Sequence, residues 1–196
     1  PIIYAYSHSP QKTKNSVISD DFNGAQIAVR HLLSLGHERI GYINGPKNVI
    51  PSQDRIRGYA HALQNNGVQF EECLVKYGQW EESVSGYRAA QELLSLNEPP
   101  TAIFAANDVM AAGVIDAVHD LGLRVPDDIS VIGYDDRDIA AFLKPALTTV
   151  KLPMYEIGST AARLIIECVE QDSSFADSAF VQCQLVVRDS CGPRRK

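Results

Sequence analysis

Two polar residues stand directly after two short apolar runs in the segment 101–136. Asn107 follows the first run and Asp135 follows the second. The amphipathic run 109–121 between them predicts a helix that Asn107 and Asp108 can cap. Strand, helix and strand joined in this way form a right-handed parallel unit, whose ligands lie beyond the carboxyl ends of the strands. An amide that donates and accepts, beside a carboxylate that accepts two hydroxyls, suits a hydroxyl-rich ligand there.

The same alternation continues on both sides of this unit. Strand-length apolar runs alternate with helical patterns from Asp20 to about Lys151, which predicts a mainly parallel α/β domain. Ser52 is placed to cap one of these helices. The pattern at 82–96 predicts another helix, with Val84 facing the core.

The two ends of the chain carry fewer elements. They supply two short strands, a polar loop over residues 7–15, one helix and a closing strand at 180–187. These elements are too few to bury both faces of a second sheet. We therefore expect a complete C-terminal lobe and a partial N-terminal lobe whose missing part precedes Pro1. The expected bounds are 20–151 with 183–196 for the C-terminal lobe, and 1–19 with 152–182 for the N-terminal lobe.

The composition excludes several classes of protein. The chain has 196 residues, of which 45% are hydrophobic and 21% are charged, values typical of a globular domain. A net charge of −6 argues against this chain embracing DNA by itself. No apolar run approaches the roughly 20 residues of a membrane span, and no leader opens the chain. We therefore expect a cytoplasmic location and no membrane contact.

The reactive residue types form no catalytic or metal-binding pattern. Four cysteines lack metal-ligand spacing and indicate reduced thiols, with a Cys183–Cys191 disulfide as the weaker alternative. His37 lacks a placed nucleophile or carboxylate pair, which favours a structural hydrogen bond to the backbone. Neither a G-x-G-x-x-G motif nor a phosphate loop is present. We expect no metal site, no cofactor and no catalysis.

Seven segments in order resemble the effector-binding core of the LacI/GalR family of bacterial transcription regulators, which is related to periplasmic sugar-binding proteins. The segments are HLLSLGHERIGYINGP (31–46), RIRGYAHALQNNG (55–67), Trp80 with Gly86-Tyr87, PTAIFAANDVMAAG (100–113), VPDDISVIGYDD (125–136), PALTTVKLP (145–153) and LVVRDS (185–190). The resemblance implies two Rossmann-like lobes joined by three crossings, with a small effector between them. It also implies an N-terminal helix-turn-helix, which is absent from this chain, so operator DNA would be bound only through that missing part.

The resemblance assigns the first group of candidate ligand contacts. Arg55 matches the family's arginine three residues before a glycine, where a guanidinium grips a sugar hydroxyl or a carboxylate. The alternative is an exposed helix arginine, which we expect of Arg57. Asp135 matches the acidic residue that ends the GYDD strand, and Asp136 fits better as a turn or cap residue. We expect Arg55→Ala to abolish the response to the effector without unfolding the chain.

Further contacts follow from the same resemblance. Trp80 matches an aromatic position that stacks on the flat face of the effector, and the alternative is a tryptophan packed in the core. Tyr6 falls where the family often has a polar contact from the first lobe. Ser52 is a further candidate contact, because we expect it on the loop that enters the Arg55 helix. Apolar stripes on two helices, which contain Ile115-Val118 and Ile56-Ala60, indicate association into a homodimer or a larger assembly.

Three functions compete on these observations. The leading interpretation is the sugar-sensing core of a transcription regulator. The second is an extracytoplasmic sugar-binding protein of a transporter, which would need an upstream signal or lipid anchor. The third is a doubly wound enzyme, and the lack of an activated nucleophile or an acid–base pair argues against it.

Overall fold

The structure is a computed structural model that describes residues 1–6, 14–174 and 176–195. The chain divides into two compact units, and it passes from one to the other after Asp20, after Lys151 and after Cys183. Unit 1 comprises Pro1–Asp20 and Leu152–Cys183, and unit 2 comprises Asp21–Lys151 and Gln184–Lys196. Residues 7–13 of the predicted polar loop lie outside the described residues.

Unit 2 is built around a six-stranded sheet. Its strands are β3 (Ile40–Asn44), β4 (Val75–Tyr77), β5 (Ala102–Ala105), β6 (Ser130–Asp135), β7 (Thr148–Lys151) and β9 (Gln184–Val186). They lie in the order β4-β3-β5-β6-β7-β9, and all neighbours are parallel except β7 and β9, which are antiparallel. The helices are α1 (Asp21–Ser34), α2 (Ile50–Asn65), α3 (Ser83–Leu94), α4 (Asp108–Asp120) and α5 (Asp138–Phe142), with a 3-10 turn at Glu72–Leu74.

The strands bury both faces, because successive side chains of a strand point to opposite sides of the sheet. Ile43 and Ile103 pack with α3 and α4 in an aliphatic core. On the other face, the rings of Tyr42 and Phe104 stack, with centroids 4.8 Å apart. Tyr59 of α2 stacks on Tyr42 at 5.0 Å and so continues this aromatic row.

Helices α3 and α4 pack at very close range through two glycines. A Cβ added at Gly86 would lie 2.2 Å from the Met110 carbonyl oxygen, and one at Gly113 would lie 1.9 Å from the Ser83 carbonyl oxygen. The backbones can approach this closely only because neither glycine carries a side chain. This packing fixes the start of α4, where Asn107 and Asp108 lie.

Unit 1 contains a three-stranded sheet in the order β1-β2-β8, with both pairs parallel. Its strands are β1 (Tyr4–Ala5), β2 (Ser16–Ser19) and β8 (Ala179–Val181), and its helix is α6 (Met154–Glu170). The helix contacts all three strands. Apolar side chains of this unit, such as Ile166, Val169 and Phe180, remain exposed.

The predicted α/β class with mainly parallel sheets is confirmed, and three details of the prediction are wrong. Val84 is 57% exposed, because α3 packs through the opposite stripe of Gly86, Ala90 and Leu93. The predicted strand 180–187 is two strands, since β8 pairs with β2 in unit 1 and β9 pairs with β7 in unit 2.

The third correction concerns Ser52, which does not cap its helix. Helix α2 begins at Ile50, Val49 occupies the cap position without a side-chain bond, and Pro51 lies in the first turn. Proline suits that turn because its missing N–H would have no partner there in any case. Ser52 is therefore a helical residue, three positions before Arg55 and on the same side of α2.

Candidate functional site

Arg55 is the centre of a buried polar cluster in unit 2. It is only 2% exposed, although it is the bulkiest side chain buried in the described part of the chain. Its Nε donates to Asp21 Oδ1 at 2.7 Å, and its Nη1 donates to the carbonyl oxygen of Ala106. Arg57, two residues later, has a side chain that is 68% exposed. Arg55 is therefore not the exposed helix arginine that was considered as an alternative. Arg57 is exposed, as predicted.

Two aromatic rings flank the guanidinium of Arg55. Its Cζ lies 3.7 Å from the ring centroid of Tyr134 and 5.4 Å from that of Trp80. Tyr134 extends the aromatic row, with its ring 6.4 Å from that of Phe104. Burial lowers the pKa of Arg55, but Asp21, Tyr134 and Asp135 raise it more strongly, so the group stays protonated.

Asp135 ends β6 beside this guanidinium, with Oδ1 3.8 Å from Nη2 of Arg55. Its backbone φ is +107°, outside the range that most residues adopt, and strain of this kind concentrates at functional sites. Its side chain is 18% exposed. Burial raises the pKa of Asp135 to about 7, with Asp108 and Asp21 adding to the rise and Arg55 opposing it.

Asn107 follows β5 and caps α4. Its side chain accepts a hydrogen bond from the Met110 backbone N–H at 2.8 Å, in the geometry expected of an N-cap. The acceptor oxygen is thus engaged, and the amide nitrogen is the part of the side chain that suits a ligand hydroxyl. Of the two capping residues that the sequence offered, Asn107 is the one that caps.

Asp108, the first residue of α4, forms hydrogen bonds to β7 and to the segment between β6 and α5. Its carboxylate accepts hydrogen bonds from Thr149 Oγ1 of β7 at 2.6 Å and from the Arg137 backbone N–H at 2.7 Å. Gly133 leaves room for it, since a Cβ there would lie 2.4 Å from Asp108 Oδ1. Burial raises the pKa of Asp108 to about 6. Asp108 thereby fixes the backbone that follows Asp135.

Trp80 and Ser52 complete the part of the site that lies in unit 2. Trp80 is partly buried and packs against the aliphatic core. Its ring also packs closely on Gly45, because a Cβ added to Gly45 would lie only 2.3 Å from the ring. It therefore combines core packing with a position beside Arg55. Ser52 is fully buried, and among the described residues its hydroxyl has no hydrogen-bond partner. The Ser52 carbonyl accepts from Asn44 Nδ2 at 3.0 Å.

Tyr6 belongs to unit 1, where its side chain is exposed and its backbone N–H donates to Val17 O at 2.8 Å. Its role as a ligand contact stays a prediction.

The remaining reactive side chains have structural partners. His37 Nε2 donates to the Gly192 carbonyl at 2.9 Å, and Nδ1 lies 3.0 Å from Thr101 Oγ1, which confirms the predicted bond to backbone. All four cysteines are free thiols, so the weaker alternative of a Cys183–Cys191 disulfide is wrong. Over residues 1–6, 14–174 and 176–195, no group of three potential metal ligands comes together. Within the same ranges, no helix has the length and apolarity needed to cross a membrane.

Sequence reasoning missed three residues of the cluster: Asp21, Tyr134 and Asp108. In the sequence, Asp21 follows another acidic residue and Tyr134 belongs to an apolar run, and neither pattern indicates a contact with Arg55. The signal available was Arg55 itself, because a buried guanidinium requires a carboxylate partner. Nothing in the sequence indicates which of its 24 acidic residues is that partner.

Comparison with known proteins places the chain in a family. A family description, the periplasmic binding protein-like domain, matches residues 29–191. The HTH-type transcriptional repressor CytR of Escherichia coli strain K12 is 35% identical over 190 residues, covering 97% of this chain and 55% of the relative. The chain thus spans about half the length of this curated relative. The relative is named as a repressor, which agrees with the prediction that the chain is not an enzyme.

Solved structures show the same similarity. The transcriptional regulator CelR in complex with cellobiose matches with a TM-score of 0.85 and 32% identity, covering 92% of this chain and 55% of that one. The Lac repressor dimer bound to operator and the anti-inducer ONPF matches with a TM-score of 0.84 and 31% identity, covering 94% and 63%. The chain belongs to the periplasmic binding protein-like domain family, as an effector-binding domain of the LacI type.

Proposed function

We propose that this chain binds a small hydroxyl-rich molecule, a sugar, at the Arg55 cluster of unit 2. The observation that carries the proposal is the buried guanidinium close to two aromatic rings and to Asp135, at the carboxyl edge of the parallel sheet. Ligands of open α/β sheets bind at that edge. CelR, a structural neighbour, is described in complex with cellobiose, which supports a sugar as the ligand.

Each candidate residue has a chemical role in this proposal. Asp135 accepts hydroxyl protons, and Asn107 donates from its amide nitrogen. Trp80 offers a flat apolar surface to the CH groups of a sugar ring. The buried hydroxyl of Ser52 gains a partner from the ligand, which offsets the cost of leaving it unsatisfied. Tyr6 of unit 1 is an additional polar contact.

In the whole protein, ligand binding would control a DNA-binding part outside this chain. A ligand that prefers one arrangement of a protein shifts its population toward that arrangement. We propose unit 2 as the C-terminal lobe and unit 1 as part of the N-terminal lobe of such a regulator, in the cytoplasm. The relative CytR is named as an HTH-type repressor, and the Lac repressor neighbour is described as bound to operator.

We also propose that the protein is a homodimer, although one of the two stripes first expected to pair is not available. Ile115 and Val118 are buried against the sheet and α3, so they cannot contact a partner, whereas Ile56 and Ala60 of the other stripe are only partly buried. Unit 2 instead exposes Val84 of α3, with Ile139 and Phe142 of α5, and Phe142 is 78% exposed. An Arg137–Glu81 ion pair joins the starts of these two helices. The Lac repressor neighbour is described as a dimer.

The alternative of an extracytoplasmic binding protein is not favoured, because the relative and the neighbours described above are named as transcription regulators. A thermal-shift screen of neutral sugars and nucleosides on the full-length protein tests the proposal. At least one compound should raise the midpoint temperature of the wild type, and Asp135→Asn should reduce that rise. If no compound shifts the midpoint, or if Asp135→Asn responds like the wild type, the proposed site is wrong.

A further inference from the structure

The Arg55 guanidinium is outnumbered by carboxylates. Asp21 is in direct contact with Nε at 2.7 Å, and Asp135 lies 3.8 Å from Nη2. Both carboxylates belong to unit 2, and Asp21 is almost completely buried. The one guanidinium at the centre of the site therefore faces two carboxyl groups within it.

Some of the N–H donors of Arg55 are already used within the protein. A guanidinium binds a carboxylate or phosphate best through two parallel N–H bonds, from either its Nε/Nη2 edge or its Nη1/Nη2 edge. Asp21 takes Nε of the first edge, and the Ala106 carbonyl takes Nη1 of the second. Each edge thus includes one nitrogen that already donates to the protein. The N–H groups that remain on Nη1 and Nη2 suit a hydroxyl or carbonyl oxygen.

The carboxylates around Arg55 already repel each other. The pKa of Asp135 is raised to about 7, mainly by burial and then by Asp108 and Asp21, despite the opposing effects of Arg55 and Arg137. A further negative charge from a ligand would add to this repulsion in a poorly hydrated environment.

Two arginines near the cluster, Arg137 and Arg188, are committed to acidic partners. Arg137 forms an ion pair with Glu81, and Arg188 Nη2 pairs with Asp136 Oδ1 at 2.7 Å. Neither is a ready counter-charge for an acidic ligand, because binding one would break an existing pair.

We propose that the Arg55 site selects uncharged hydroxyl-rich ligands, namely neutral sugars or nucleosides, and rejects sugar acids and phosphorylated compounds, with Asp21 as the residue that sets this selectivity. This inference rests on the proposed function, because it assumes that the effector binds at Arg55. Asp21 acts through Arg55: it occupies one donor edge and neutralises the charge that an anion would seek.

The test compares matched neutral and acidic compounds on the full-length protein by calorimetric titration. Suitable pairs are glucose and glucuronate, galactose and galacturonate, ribose and ribose 5-phosphate, and cytidine and cytidine monophosphate. In the pair that binds best, the neutral compound should bind at least about tenfold more tightly than its acidic counterpart. The acidic compound would bring its negative charge close to the carboxylates of the site, and this repulsion weakens binding. Asp21→Asn keeps an acceptor for Nε and removes the charge, so it should reduce this ratio by about tenfold.

Asp128→Asn is the matched control, because it removes the same charge from an exposed pair with Arg124 at 2.8 Å. It should leave the ratio unchanged. Equal or tighter binding of the acidic compound by the wild type would overturn the inference and leave the proposed function standing. A folded Asp21→Asn protein with the same ratio of neutral to acidic affinity as the wild type would also overturn it. If that variant does not fold, the ratio measured for the wild-type protein decides. If neither member of any pair binds, both the inference and the proposed function are wrong.

Discussion

At the scale of single residues, the burial of Arg55 changes what its removal would do. Arg55→Ala was expected to abolish the response without unfolding the chain, as for a side chain that faces an open cleft. In the structure, Arg55 is the partner of the buried Asp21 carboxylate, and its loss would leave that charge uncompensated. We therefore expect Arg55 to contribute to stability as well as to the proposed ligand binding.

We predict that Arg55→Ala lowers the free energy of unfolding by about 3 to 5 kcal/mol, the usual cost of removing one partner of a buried ion pair. Urea denaturation followed by circular dichroism measures it. Arg57→Ala is the control, because its exposed pair with Asp54 contributes roughly 0 to 1 kcal/mol. Equal midpoints for the two variants would contradict the burial of the Arg55–Asp21 pair.

Asp108 predicts a pH dependence of stability. Its pKa is about 6 in the folded chain, raised by burial, and about 3.9 in an unfolded chain. The folded state thus binds more protons between these values, and stability falls as pH rises through that window. Asp108→Asn cannot ionise, so its stability relative to the wild type should increase by about 2 to 3 kcal/mol between pH 4 and pH 8.

Urea unfolding at several pH values measures this difference. Asp128→Asn should run nearly parallel to the wild type over this window, because Arg124 lowers the pKa of the exposed Asp128 and its contribution is lost only as pH falls below about 3.9. Parallel stability curves for Asp108→Asn and the wild type between pH 4 and pH 8 would rule out the assigned role of Asp108.

At the scale of elements, two variants of Asn107 distinguish its role as the cap of α4 from its proposed role in ligand binding. Asn107→Ala removes the bond to the Met110 N–H and should destabilise the protein by about 1 kcal/mol. Asn107→Ser keeps a capping oxygen without adding a charge at this buried position, so it should largely preserve stability, but it lacks the amide donor and should weaken sugar binding. Denaturation and calorimetric titration on the same samples measure both. Unchanged affinity in a stable Asn107→Ser protein would remove Asn107 from the site.

The sequence predicted the kinds of elements well because apolar periodicity reports burial directly. It could not predict which stripe of α3 faces inward, since Val84 and Gly86 both fit a helix and only the close approach of α4 selects the glycine. Nor could it choose between Asn107 and Asp108 as the cap. Both residue types cap helices, and the choice depends on β5 ending at Ala105.

Only those residues of the candidate site that lie in local sequence motifs were predictable. Arg55, Asp135 and Trp80 were found through motif resemblance, and the structure brings these three together. Asp21 was not found, because its contact with Arg55 spans 34 positions in the chain and depends on how α1 packs against α2. Pairings of this range are a property of tertiary packing and leave no local pattern.

At the scale of the whole molecule, the exposed apolar residues of α3 and α5 predict the dimer surface. Phe142→Asp should convert a dimer of the full-length protein into a monomer, because a charge would be buried in an apolar contact. Light scattering coupled to size exclusion measures the mass. Leu121→Asp, also at an exposed apolar position, is the control and should remain dimeric. A wild-type protein of single-chain mass, or a dimeric Phe142→Asp, would contradict this surface.

The central claim is that Arg55 binds the effector, and calorimetric titration of the full-length protein with its best neutral sugar or nucleoside tests it most directly. Arg55→Lys keeps the positive charge but loses the planar fork, so it should bind at least about tenfold more weakly than the wild type. Arg57→Lys, the same change at the exposed neighbour, should bind like the wild type. Wild-type affinity in a folded Arg55→Lys protein would show that the effector binds elsewhere.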